Sequence, residues 1–184
     1  MTQKRQQILD ATLELAVDTG IDAISTLNIA KKAGVAKATL FHHFQTKAEL
    51  IDAVYKSIKS DFDFFSAPEN LSFSDQFIYM WRSNLGWAIE NPHKIVFLNA
   101  YYTAMSIPNE RRLVAKKEST IGLYNLIVSG QESKQVASEK ADILVEFIYS
   151  LFMSTALLIH SQLEITAEEY IEDSLSVILR VVKP

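Results

Sequence analysis

Residues 26–47, TLNIAKKAGVAKATLFHHFQTK, constrain the backbone more tightly than any other stretch of this chain. Leu27, Ile29, Ala30 and Ala33 recur at helical spacing and give a first short helix an apolar side. Ala30 is small enough for a second helix to cross closely. Gly34 follows as a stop, because glycine takes the left-handed conformation at low cost. Val35, apolar inside the turn, plugs the gap between helices. A second helix over about 37–44 sets Leu40 and Phe44 on one face. Thr46 then caps a further helix, and Glu49 three residues on completes a capping box. Two short helices joined by a tight turn, over about 25–44, are a helix-turn-helix.

The second helix of such a unit is the one that enters a DNA major groove. Lys37 lies in its first turn, where a cation opposes the helix dipole and an anionic partner removes the conflict. Taken alone, Lys37 reads as a solvated lysine on a surface helix. Thr39, His42, His43 and Lys47 lie within reach of the same side, and together they suit a phosphate-gripping edge.

At these residues the chain resembles the DNA-binding domain of the tetracycline-repressor (TetR) family of bacterial regulators. That family shows an Ile-Ala-x-x-Ala-Gly-Val turn and a Thr-Leu-aromatic-x-His-Phe recognition helix, followed by a Lys with a nearby Glu-Leu. Here they read Ile29-Ala30-Lys31-Lys32-Ala33-Gly34-Val35, then Thr39-Leu40-Phe41-His42-His43-Phe44, then Lys47-Ala48-Glu49-Leu50. The match covers roughly the first third of the chain. It departs at Ala36, where the family has a capping Ser or Thr, and at Phe41, where it commonly has Tyr and a hydroxyl for a phosphate. The resemblance implies base contacts from Lys37, Ala38 and Thr39. It implies backbone contacts from Thr39, Phe41, His43 and Lys47, with His42 beside them.

Composition bounds the rest. The chain has 184 residues, 48% of them hydrophobic, enough for a sizeable core in one or two domains. Five Gly and four Pro favour long helices over many turns, and the absence of Cys excludes disulfides and thiolate metal sites. Adjacent His42 and His43 diverge by about 100° on a helix and cannot chelate one metal together. His93 and His160 lack a carboxylate at ligand spacing, so no metal and no cofactor is expected. The start, MTQKRQQ, lacks the apolar run of a signal peptide. Residues 143–159 are apolar but interrupted by Glu146, Ser150, Ser154 and Thr155, which suits a buried helix rather than a membrane span. A cytoplasmic protein is expected. The net charge of −4 argues against a nucleic-acid partner, but residues 1–56 hold seven Lys and Arg against six Asp and Glu, so a basic patch can be local.

Every segment has a helical pattern, with no repeat and no period-two run. The expected fold is all-α with about nine helices: a helix-turn-helix head at 1–48 and a larger bundle at 49–184. A first helix over 2–19 carries Ile8, Ala11, Thr12, Leu15 and Ala16 as its stripe, and Ile24 and Leu27 close the head's core. A helix over 46–65 carries Leu50, Ile51, Val54, Tyr55 and Ile58. Helices follow over 73–91, 92–106, 108–129 and 138–162. The last, from Thr166 to about Val182, opens on a second capping box, Thr166 with Glu169.

Two sites are expected in the bundle. Residues 143–159 are apolar all round and need cover on more than one side. Leu144, Ile148, Leu151, Thr155 and Leu158, with Ile171, Leu175, Ile178, Leu179 and Val182, can form a four-helix homodimer interface. A larger monomeric core is the alternative. Phe77, Trp81 and Asn84 share one helix face, and Tyr101 and Met105 share another. With Tyr124 and Phe147 they can line a cavity for an apolar or cationic small molecule, although taken one by one each ring reads as plain core. The family resemblance implies an inducer pocket there, a dimer through the last helices and release from a double-stranded DNA operator. Two other readings stay open: a DNA-binding dimer controlled by a protein partner, and a helical enzyme with a vestigial head. No glycine-rich phosphate loop or nucleophile motif supports the second.

Overall fold

Ten helices succeed one another in the computed structural model, which describes residues 2–161 and 166–184. They are α1 Gln3–Thr19, α2 Thr26–Lys32, α3 Lys37–His43, α4 Lys47–Ser60, α5 Phe73–Glu90, α6 Pro92–Thr103, α7 Asn109–Ser119, α8 Ile121–Glu132, α9 Ala141–Ser161 and α10 Ala167–Val181. No strand occurs among the described residues. The fold is all-α, as the periodicity requires.

The count exceeds nine because 108–129 is two helices. Thr120 breaks it, with φ −109° and ψ 10°. Its hydroxyl joins its own N–H on the Lys116 carbonyl, each at 3.1 Å, a back-bond of the kind that bends a helix. The 46–65 helix ends early, at Ser60, and Phe65 lies beyond it with φ 58°. A Cβ on Gly122 would stand 2.3 Å from the Phe65 carbonyl oxygen, so only glycine lets α8 pass this segment. The 92–106 helix stops at Thr103, which leaves Met105 outside the face expected to hold Tyr101. Gln162 of the expected 138–162 helix lies outside the described residues.

The helices gather into two compact units. One comprises Met1–Phe62 and Val96–Ala115, the other Asp63–Ile95 and Lys116–Pro184. All of α4 therefore groups with the head, and so do α6 from Val96 onward and α7 as far as Ala115. In the first unit α1 packs on α2, α3 and α4. Ile8, Ala16, Ile24, Ile29, Ala30, Leu40, Phe44 and Leu50 are buried between them. Leu27 is not part of this core: it is 63% exposed, because Ile29 and Ala30 already fill the inward side of a seven-residue helix. Tyr55 stacks on Tyr101 with ring centroids 4.4 Å apart and donates its hydroxyl to the Ala115 carbonyl at 2.8 Å.

In the second unit α9 packs on α5, α8 and α10, and α10 on α5. α9 has the length and apolar content of a membrane-crossing helix. Eight of its residues, among them Ile148, Phe152 and Ala156, are buried inside the chain, as befits a core helix. The Thr166 capping box forms in full: Thr166 N–H donates to Glu169 Oε2 at 2.9 Å and Glu169 N–H donates to Thr166 Oγ1 at 3.3 Å. The Thr46 box forms by half. Glu49 N–H donates to Thr46 Oγ1 at 3.0 Å, but the Glu49 carboxylate reaches past the cap to Gln45 N–H at 2.8 Å.

Candidate nucleic-acid interface

The turn between α2 and α3 is closed by its backbone. Gly34 has φ 66°, and Val35 N–H donates to the Ala30 carbonyl at 3.0 Å. Ser25 caps α2, accepting from Asn28 N–H at 3.2 Å. α3 has no such help. Ala36 holds the capping position with φ −66° and ψ 147°, and no side chain satisfies the first turn of α3. Leu40 is fully buried and anchors α3 to the head, so the opposite side faces outward.

That outward side carries the residues singled out in the sequence. Lys37 and Ala38 are exposed, and Thr39 is half-buried beside them. Phe41 is 39% exposed and lies under Lys37, whose ammonium is 5.7 Å from the ring centroid. His42 is exposed and His43 half-buried, with their rings edge to face at 5.4 Å. Lys47 stands apart. Its ammonium donates to the Asp22 carbonyl at 3.3 Å, so one of its three protons is committed within the head. Arg5 stacks over the Phe44 ring at 5.0 Å. Arg5, His43 and Lys56 line one cleft of about 520 Å³, together with the carboxylates of Glu49 and Asp52. Lys56 escaped the sequence reading because the cleft forms between α1 and α4, which sequence spacing does not pair. Lys32 is occupied elsewhere, by Glu14 at 2.8 Å.

The residues considered for a small-molecule cavity are divided between the two units. Phe77 and Trp81 are fully buried in the second unit, and Asn84 is 1% exposed. Their polar atoms are spent locally. Trp81 Nε1 donates to Ser174 Oγ at 3.0 Å, Asn84 Oδ1 accepts from Phe65 N–H at 3.1 Å, and Asn84 Nδ2 donates to the Met80 carbonyl at 2.7 Å. Tyr101 is buried in the first unit and donates its hydroxyl to Asp52 at 2.6 Å. Burial, and then that carboxylate, hold its phenol above the ordinary range. Met105 is 82% exposed, Phe147 51% exposed and Tyr124 half-buried.

The residues considered for a dimer interface divide as sharply. Leu144, Ile148, Thr155, Leu175, Ile178 and Val182 are buried within the chain, while Leu151, Ile171 and Leu179 are half-buried. Leu158 is 42% exposed. The outward apolar residues are instead Ile143 and Phe147 of α9 and Val177 and Val181 of α10. Their signal was in the sequence: Ile143, Phe147, Ser150, Ser154, Leu158 and Ser161, all exposed, follow one another at three- and four-residue steps.

A buried three-helix core that presents a short polar helix outward defines the class: this head is a helix-turn-helix of the DNA-binding kind. Residues 8–54 match the model of the bacterial regulatory proteins of the tetR family. The class D tetracycline repressor protein of Escherichia coli is 38% identical over 64 residues, 35% of this chain and 29% of that protein. The chain thus spans under a third of the length of that curated relative. An uncharacterized helix-turn-helix regulator of Haemophilus influenzae is 30% identical over 116 residues, covering 59% of this chain and 58% of that one. In overall fold the chain is similar to a tetR-family regulator from Shewanella sp. PV-4, with TM-score 0.85, 24% identity and all of both chains covered. It is also similar to one from Marinobacter aquaeolei VT8, with TM-score 0.80, 22% identity, and 98% and 95% covered. Residues 8–54 are thus similar to the DNA-binding domain of tetR-family regulators, and the whole chain shares the fold of such proteins.

Proposed function

We propose that this protein is a homodimeric repressor that holds a palindromic DNA operator with two copies of α3 and releases it when a small-molecule effector binds. The observation that carries the reading is the outward side of α3. Leu40, the one fully buried residue of that helix, secures it to the core, and Lys37, Ala38 and Thr39 at its front are left for base edges. His42 and His43, with Lys47 and Phe41, flank them toward the phosphates. The dimer forms through Ile143, Phe147 and Leu158 of α9 with Val177 and Val181 of α10, since an apolar set of this kind is covered in an α-helical assembly. The enclosed Phe77 and Trp81 rings of α5 weigh against control by a protein docking on them. The protein works in the cytoplasm.

Operator selection from a random duplex pool tests this. The selected sites should be palindromes with half-sites about 34–36 Å apart. Lys37→Ala should cost about 1–3 kcal/mol at particular base pairs and little elsewhere. Selection of a single asymmetric site, or a loss from Lys37→Ala that is uniform over all sequences, would overturn the arrangement.

A further inference from the structure

A cavity of about 420 Å³ opens in the first unit between the start of α4 and the segment that leads into α7. Its floor is aliphatic. Ile51 and Ile107 are 2% and 7% exposed, with Pro108 beside them. Its rim carries Lys47, Arg111 and Asp52.

Donors and acceptors at this rim are unequally spent. Asp52 Oδ1 accepts the Tyr101 hydroxyl at 2.6 Å, and Oδ2 accepts Arg111 Nε at 3.1 Å. The neighbouring Asp22 carboxylate is also engaged, taking Met105 N–H and Ser106 N–H at 2.9 Å each. Hydrogen bonds from Ser106 first, and then from Met105, hold it below the usual carboxylate range. Every oxygen of both acids thus has a donor. Arg111 meets Asp52 through Nε and has the Tyr101 hydroxyl beside it, which still leaves N–H groups on its terminal nitrogens to spare, and Lys47 has committed one proton of three. Spare donors above an aliphatic floor match a carboxylate with an apolar body, since an Arg fork takes a carboxylate in two parallel bonds.

We propose that this cavity binds a small aliphatic carboxylic acid, and that the acid is the effector. The second half rests on the reading of the chain as an effector-released repressor. α4 begins four residues after α3 ends, and Lys47 in its first turn both rims the cavity and ties to Asp22. An acid that draws Lys47 and Arg111 to itself competes with the Asp22 and Asp52 contacts that set α4 against residues 105–111. The orientation of α3 depends on those contacts.

The probe is hexanoate, with hexanol as the uncharged control, titrated into labelled protein and read at the backbone amides of Ala48, Ile51 and Ile107. Saturable shifts with hexanoate, and binding at least about tenfold weaker with hexanol, are expected from the worth of a charge-assisted hydrogen bond. Arg111→Gln should weaken hexanoate about tenfold or more, and Arg111→Lys less. Ala48→Met, at an exposed position on the cavity wall, should block it without touching the Asp52 contacts. Circular dichroism and a thermal melt show whether each variant is folded. Saturating hexanoate should weaken the selected operator in the unaltered protein and not in Ala48→Met. The proposal is overturned by no saturable shift, by equal binding of hexanol, by full affinity in both Arg111→Gln and Ala48→Met, or by operator affinity indifferent to saturating hexanoate. Failure of the repressor reading looks different: no operator is selected, while the titration still reads the cavity.

Discussion

α3 and α9 pose opposite problems. α3 has seven residues and buries Leu40, so nearly all its surface is available to a partner. α9 has 21 residues and buries eight, on a helix apolar over most of its circumference. In the short helix, one anchor decides which side is inward, and the residues named from the sequence are the ones presented. In the long helix an apolar residue is compatible with either side. The pattern that suggested an interface at Ile148 and Ile178 selected residues that pack within the chain. Sequence patterning locates an exposed face where burial is scarce and loses it where burial is abundant.

The largest expected effect tests the α9 side of that contrast. Phe147→Glu places a charge on the proposed dimer face and should convert the protein to monomers at micromolar concentration in sedimentation or light scattering. The monomer's helical content should be retained. Ile178→Ala should do the reverse. It should leave association intact while lowering stability by about 2–5 kcal/mol in a denaturant titration, because it empties part of a core. If Ile178→Ala dissociates the dimer and Phe147→Glu does not, the two faces are exchanged and the contrast fails.

The smallest effect belongs to α3. Ala36→Ser supplies the missing cap and should stabilise the head by about 0.5–2 kcal/mol, read as a rise in melting temperature. No rise would mean that the first turn of α3 is already satisfied. The gain should not appear at Thr46 or Thr166, whose helices are capped already.

Much of the molecule was legible as sequence because its determinants are local. Gly34 at positive φ, the Leu40 anchor, the uncapped Ala36 and the Thr166 box each depend on residues within a few positions of one another. Helical periodicity alone established an all-α chain, and the head's motif its family resemblance. What tertiary structure decided depends on distant partners. Asn84, which sequence offered to a ligand, serves the Phe65 N–H nineteen residues away. Asp52 is one more acid on a helix until Tyr101 and Arg111, 49 and 59 residues on, converge on it. A hydrogen bond or a buried face is a relation between two places in space. Where the second place is far along the chain, only the folded backbone brings it near enough to count.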